Sequence, residues 1–416
     1  MNILVIGSGG REHALVKRIA QSPLAKKIYA LPGNPGMREA AAVPGNPMDN
    51  ADTVKKAIEL GIDFAVVAPD DPLANGLVDA LEEGGIPCFG PSRQAAQLES
   101  SKVFAKELMQ KYQIPTARFR AFTQVAPALA YLNDHPLPAV IKADGLAKGK
   151  GVIIAESLQE AEDAVKAMLQ DKAFGESGSR IIIEEFLQGP EVSVLTLTDG
   201  ENLVPLPSAM DHKRAGENDT GLNTGGMGVI APTPFYTEEV AKEAMDAIFL
   251  PTLKAMKAEG RVFRGCIFFG LMITDKGPRV LEYNARFGDP ETQAVLELVE
   301  GDLLAAMLAC RKGALKADTL KSTGKHACCV VLASKGYPGQ FETGFPITVA
   351  EEVAPFVHYA GVKQTDQGLV TSGGRVMSVT CTGDTLKEAR DKAYEGVKGV
   401  HFTGKYFRRD IGASAL

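Results

Sequence analysis

The first hundred residues switch repeatedly between two hydrophobic periods, and that alternation limits the fold more than any other feature of the chain. "NILVIG", "KIYALPG", "IDFAVVAP" and "IPCFGP" are short apolar runs suited to buried strands. Between them, "REHALVKRIA", "ADTVKKAIELG" and "LANGLVDALEEGG" repeat apolar residues at helical spacing. Strands alternating with helices predict parallel βαβ units with right-handed crossovers, and so a Rossmann-like α/β layer over residues 1–100. Pro91-Ser92 closes that unit, and "SRQAAQLESSKVFAKELMQKY" predicts a pair of helices.

At 416 residues the chain is too long for one core. A second α/β segment starts at "IPTARFRAF" and holds "PAVIKADGLAKGKGVIIA" and "SRIIIEEFLQGPEVSVLTLTDG". The segment "DHKRAGENDTGLNTGGMG" reads as a long, polar, glycine-rich loop, a kind that is usually functional or disordered. A helix is expected near 237–258, then a hairpin, "GCIFFGLMITDKGPRVLEYN". After residue 324 the pattern turns strand-rich and ends in the helix "TLKEARDKAYEGVKGV", which predicts a small α+β unit. The expected division is an N-terminal α/β substrate-binding domain over 1–100, a central domain over 101–324 with a mobile lid at about 117–188, and an α+β domain over 325–416.

Composition excludes several classes. A formal net charge of -6 argues against a nucleic-acid partner. Six cysteines without a C-x-x-C pair suggest neither a zinc site nor a redox motif, and Cys328-Cys329 reads as packed strand. "MNILVIGSGG" lacks the basic region and long apolar core of a signal peptide, and no apolar run approaches the ~20 residues of a membrane span. The expectation is a cytoplasmic protein and, with no outstanding apolar helix face, a monomer.

The chemistry concentrates in a few motifs. In "VLEYNARFGDPE", residues 280–291, an apolar strand takes up Glu282, Asn284 and Arg286 at alternate positions, which places them on one face. Buried charge needs a partner or a metal. The pattern predicts two hard oxygen ligands for Mg²⁺ from Glu282 and Asn284, with a fixed cation beside them for an anion. "VIGSGGREH" begins like a dinucleotide fingerprint but has Glu12 where the third glycine belongs, and "YALPGN" offers no ribose-binding acid. A nicotinamide site is therefore not expected. The turn is left either to face an anion or simply to let helix and strand pack. "GLAKGKGV" fails as a Walker A loop. Yet a strand bearing Lys142, a glycine loop bearing Lys148 and Lys150, and a second strand together predict a flap able to close on a polyphosphate; an exposed hairpin with solvated lysines is the alternative. "IIIEEFLQGPEVSV" offers Glu184, Glu185 and Glu191 around a strand end, suited to an adenine edge and ribose hydroxyls.

Taken together, these motifs resemble the ATP-grasp ligases. "VIGSGGREHAL", "KADGLAKGKGV", "DHKRAGENDTGLNTGGMG" and "EYNARFGDPETQ" are similar to one family, the glycinamide ribonucleotide synthetases, as are the C-terminal "TSGGRVMSVT" and "YFRRDIG". The resemblance implies an ATP-grasp core and ATP-dependent ligation of glycine to 5-phospho-β-D-ribosylamine through glycyl phosphate, with ATP as co-substrate and Mg²⁺ or Mn²⁺ as metal. It places Lys102 and Lys142 on the ATP phosphates, under a loop of Gly145, Lys148, Gly149, Lys150 and Gly151. It puts Glu184, Glu185 and Leu187 at the adenine and Glu191 at the ribose. Arg286 would hold acyl-phosphate oxygens, with Lys142 the second catalytic cation, and Asp289 beside Gly288 would take the glycine ammonium. Asp211, Lys213, Asn223, Thr224, Gly225 and Gly226 would form the phosphosugar site, closed by Gly9, Gly10 and Arg11. The chain departs from the family pattern at Ala68 and Asp70 in "VAPDDP", at Leu222 and at Ala285. Another ATP-grasp carboxylate–amine ligase and a nucleotide-binding sensor without turnover are the competing readings.

Overall fold

The computed structural model describes residues 1–146, 151–171 and 179–416. Strands β1 (Asn2–Gly7), β2 (Lys27–Pro32), β3 (Ala41–Ala42), β4 (Phe64–Val67) and β5 (Cys88–Phe89) form one parallel sheet in the order β3-β2-β1-β4-β5. Ile3, Leu4, Val5 and Ile6 of the central strand are wholly buried, as a parallel strand covered on both faces requires. Helix α1 (Gly10–Ile19) follows β1 directly. The expected helix across "LANGLVDALEEGG" is broken: residues 70–74 and 77–83 are separate helices, with Gly76 between them at φ 82°. A left-handed residue cannot continue a right-handed helix, and glycine takes that conformation without steric cost.

The segment expected to form a lid is an antiparallel sheet of β6 (Phe119–Phe122), β7 (Ala139–Ala143), β8 (Val152–Ala155) and β9 (Ile181–Glu185), ordered β6-β9-β7-β8. Ile141, Ile181 and Ile183 pack with Ala128 and Val165 of the helices on one face. Strand alternation therefore turns Val140, Lys142 and Glu184 to the other face.

The chain then runs through β10 (Glu191–Thr198), β11 (Leu203–Pro205), β12 (Met210–Asp211), β13 (Arg214–Gly216), β14 (Thr220–Asn223) and β15 (Gly228–Ala231), helical residues 238–258, and the hairpin β16 (Gly265–Thr274) and β17 (Gly277–Asn284). The central sheet is β11-β10-β16-β17. The segment "DHKRAGENDTGLNTGGMG" is ordered, contrary to its reading as a loop. β13 and β14 pair as a hairpin, and β12 and β15 join the C-terminal sheet through pairing of β15 with strand His326–Ser334. That sheet thus reaches back across the expected boundary at 324/325. Strand His326–Ser334 pairs in turn with Arg375–Gly383, and the helix Leu386–Lys398 covers them with Leu386, Ala389, Ala393 and Val397. The six cysteines are free and buried. Among the described residues no helix is long and apolar enough to cross a membrane.

Candidate active site

A cleft of about 850 Å³ opens between the β6–β9 sheet, the central sheet and the β13–β14 hairpin. One side is built on the β6–β9 sheet. Lys142 Nζ lies 3.1 Å from Glu184 Oε2 and 3.2 Å from the Leu281 carbonyl. Lys106, one helical turn after Lys102, reaches the same oxygen at 3.0 Å and also donates to Thr116 Oγ1 at 2.7 Å. Burial draws Lys106 down to about 8, while the two lysines hold Glu184 below the ordinary carboxylate range despite its burial. Glu184 Oε1 is buried without a partner, an acceptor left available at the cleft wall. Lys102 starts a helix capped by Ser101 and donates to the Gly145 carbonyl at 2.7 Å, fixing the first glycine of the flap loop. Gly151 lines the cleft; Lys148, Gly149 and Lys150 lie outside the described residues. Glu185 also lines the cleft, but its carboxylate is bound to Arg118 at 2.8 Å and its backbone N–H donates to the Arg118 carbonyl at 3.0 Å. Val140, Ile154, Leu187, Met272 and Leu281 form an apolar slot suited to a flat ring.

The middle of the cleft depends on a bulge. Gly270 pairs with Glu282 but Leu271 pairs with Val280, so β17 carries one extra residue there. Before it Pro278 and Val280 are buried; after it Tyr283 is buried. The change of phase aims Glu282 and Asn284 into the cleft. Arg286 follows β17, and its Nη2 lies 3.1 Å from Asn284 Oδ1, 2.9 Å from Glu99 Oε1 and 3.9 Å from Asp70 Oδ2. Glu99 Oε2 accepts the Ala285 N–H at 2.8 Å, so one buried carboxylate fixes both the backbone and the guanidinium of this motif. Burial would raise the Glu282 pKa, but Lys213, Lys142 and Lys102 outweigh it and keep the carboxylate ionised. Among the described residues no three His, Cys, Asp or Glu side chains converge to hold a metal unaided. Two oxygens facing a cleft fit Mg²⁺, which completes its shell from phosphates and water.

The third part is the wall that includes the β13–β14 hairpin. Lys213 is ion-paired with Glu191 and lies 3.8 Å from Glu282. Asn223, Thr224 and Gly225 line the cleft from the hairpin. Gly226 has φ 109°, and a Cβ there would come within 2.4 Å of Pro290 and 2.7 Å of Asp211 Oδ1, so only glycine brings the turn this close. Gly288 is similarly pressed on Glu291: a Cβ would lie 2.4 Å from its Oε2. Burial raises the pKa of both Asp211 and Glu291, with Glu291 adding to the rise at Asp211 and Asp289 to that at Glu291. Asp289 stays low despite burial because Arg375 and Arg11 face it; Arg375 Nη2 is 3.3 Å away.

The sequence reading also put Gly9 and Gly10 on this wall. Arg11 does line the cleft, donating to the Phe287 carbonyl at 3.0 Å. Gly9, however, gives its N–H to Glu12 Oε2 at 2.6 Å, and Gly10 is buried against Gln293. The helix N-terminus, left open between an anion site and a packing turn, is filled by the protein's own carboxylate, which also accounts for Glu12 in place of the third fingerprint glycine. Glu99, Lys106, Glu291 and Arg375 were not anticipated. The i, i+4 spacing of Lys102 and Lys106 is a visible signal for one of them, and the glycine pair before Arg375 for another; Glu99 sits in a short helix with no distinguishing pattern.

Family models described as phosphoribosylglycinamide synthetase match this chain in three parts: the N domain over residues 1–99, the ATP-grasp (A) domain over 100–292 and the C domain over 327–414. The chain is 46% identical to the phosphoribosylamine–glycine ligase of Pasteurella multocida, covering 100% of this chain and 98% of that protein. It is also 46% identical to the enzyme of the same name from Caldanaerobacter subterraneus, covering 99% and 100%. The crystal structure of phosphoribosylamine–glycine ligase from Thermotoga maritima superposes with a TM-score of 0.87 at 36% identity, over 99% of this chain and 100% of that one. The biotin carboxylase domain of Hydrogenobacter thermophilus 2-oxoglutarate carboxylase shares the fold, with a TM-score of 0.75 at 18% identity over 97% and 91% of the two chains.

Proposed function

The chain belongs to the phosphoribosylglycinamide synthetase family, and from that premise we propose how its cleft works. It is an ATP-dependent ligase of purine biosynthesis, joining glycine to 5-phospho-β-D-ribosylamine. A carboxylate is a poor acyl donor because an oxide would have to leave. In the proposed route a glycine carboxylate oxygen attacks the γ-phosphorus of ATP, the bond to ADP breaks, and glycyl phosphate forms. The sugar amine then attacks the carbonyl carbon, the carbon–oxygen bond to phosphate breaks, and the attacking nitrogen gives up a proton. No protein nucleophile is needed. The chain's task is alignment, charge neutralisation and exclusion of water.

Lys142 and Lys102 face the phosphates, with Gly145 and Gly151 beside them. The apolar slot takes the adenine beside Glu184, Glu185 and Leu187, and Glu191 takes the ribose. Glu282 and Asn284 would hold Mg²⁺ or Mn²⁺, which when bound neutralises phosphate charge. Arg286 presents its planar fork to the phosphoryl oxygens. Asp289, ionised and anchored by Arg375, suits the glycine ammonium. Asp211, Lys213 and the Asn223–Gly226 turn form the phosphosugar wall with Arg11. The observation that carries this reading is the convergence of Lys142, Glu282, Arg286 and Lys213 on one cleft. We further read the protein as a cytoplasmic monomer in three units, divided near residues 100 and 324; its unpaired, buried cysteines are in keeping with a reducing compartment.

The test is ADP release with Mg-ATP, glycine and phosphoribosylamine generated in place from ribose 5-phosphate and ammonia, omitting each in turn. ADP formation that needs all three, with glycinamide ribonucleotide identified by mass, is the expected result. ADP formed only with a different acid or amine would transfer the assignment to another ATP-grasp ligase.

A further inference from the structure

The hairpin that carries the phosphosugar wall has little to hold it in place by itself. β13 and β14 are three and four residues long, their pairing is irregular between Arg214 and Gly216, and Leu222 is 66% exposed. A two-stranded ribbon without an apolar face is marginal alone. Its turn runs through two successive left-handed residues, Asn218 and Asp219, at φ 55° and 52°, a conformation that side-chain-bearing residues seldom adopt.

The end of the chain supplies the missing restraint. The Arg408 side chain, 1% exposed, forks onto Asp410, with Nε 2.8 Å from Oδ1 and Nη2 2.7 Å from Oδ2. Its Nη1 donates to the Arg214 carbonyl at 3.1 Å and to Asp219 Oδ1 at 2.8 Å. Asp410 Oδ2 also accepts the N–H of left-handed Asn218 at 2.7 Å. The Tyr406 hydroxyl donates to the Ala215 carbonyl at 2.7 Å. At the hairpin base, the Gly412 N–H donates to His212 Nε2 at 3.0 Å, which leaves the Nδ1 proton for the Gly228 carbonyl at 3.1 Å. The tail thus grips the hairpin at its base, along one strand and at its turn. Arg408, Asp410 and Tyr406 do not themselves line the cleft, whereas Lys213, Asn223 and Thr224 do. A buried, bidentate guanidinium–carboxylate pair is the most rigid polar link available for such a grip.

We propose that Arg408 and Asp410 are positioning residues for the amine substrate: through the hairpin they set how tightly phosphoribosylamine binds, and they leave the nucleotide side unchanged. This rests on reading the hairpin as the phosphosugar wall. The experiment uses the full-length enzyme and the variants Arg408→Lys, Asp410→Asn and Tyr406→Phe, with steady-state kinetics in each substrate and amide hydrogen exchange. KM for phosphoribosylamine should rise about tenfold or more in Asp410→Asn and in Arg408→Lys, and a few-fold in Tyr406→Phe, which loses one neutral hydrogen bond. KM for ATP should stay within about twofold. Exchange should quicken across 213–224 and not across 139–143. Unchanged exchange in the hairpin would overturn the grip, and a loosened hairpin with unchanged KM would overturn its role in binding. Equal rises in KM for amine and ATP would also overturn it, by showing a general structural effect. Tyr406→Phe, which keeps the ion pair, carries the test if an Arg408 variant does not fold. Should the wild type not turn over phosphoribosylamine, the functional reading falls, and exchange alone decides whether the tail holds the hairpin.

Discussion

The two walls of the cleft are made differently. On the side proposed for the nucleotide, Lys142 and Glu184 stand on neighbouring strands of one small sheet, and Lys102 and Lys106 stand one turn apart on one helix. The side chains point inward because strand and helix periods oblige them to. On the side proposed for glycine and the sugar phosphate, Arg11, Asp211, Asp289 and Arg375 come from four distant parts of the chain, joined by contacts such as Arg375 Nη1 to the Asp289 carbonyl at 2.8 Å. The first wall is local and largely preset by secondary structure. The second exists only once the N-terminal and C-terminal sheets have met, so its geometry is sensitive to residues far from any ligand.

That contrast ranks the expected effects of substitution. Glu282→Gln removes the charged oxygen where both walls meet; kcat should fall about a thousandfold with little change in melting temperature, and undiminished turnover would break the metal assignment. Arg286→Met should cost about a hundredfold in kcat, since Glu99 and Asp70 remain in place without their cation. Arg375→Met should act on the substrate wall alone, raising KM for glycine or phosphoribosylamine about tenfold while KM for ATP holds. A matching rise for ATP would mean that the walls are not independent. The smallest effect is in pH. Lys106 has a folded pKa of about 8, below the ordinary 10.5, so between those values the unfolded chain binds the extra proton and stability contributed by this group rises with pH. Thermal melts should show a slope of about 1–2 °C per pH unit over that window, relative to Lys106→Met.

The same contrast explains what the sequence disclosed. The strand–helix alternation of residues 1–100 was readable because each period is local, and Lys142, Glu184, Glu282 and Asn284 were readable because alternate strand positions share a face. The reason Glu282 and Asn284 face the cleft was not readable: the bulge opposite Gly270 appears only in the pairing of two strands. The 211–228 segment looked like a loop because its strands are short and polar and take their order from β15 pairing with His326–Ser334. Glu12 looked like a mere departure from a fingerprint until its carboxylate was found on the Gly9 N–H. Glu99 was invisible because its partner, Arg286, lies far away in sequence and its short helix carries no pattern.

In the proposed route glycine is activated as an acyl phosphate in the middle of the cleft, where the two walls meet at Arg286 and Glu282. That step is tested most directly by turnover of glycine labelled with oxygen-18 in its carboxylate, followed by mass analysis of the inorganic phosphate. Transfer of one labelled oxygen into phosphate per turnover is the predicted result. Phosphate free of label, with glycinamide ribonucleotide still formed, would contradict it.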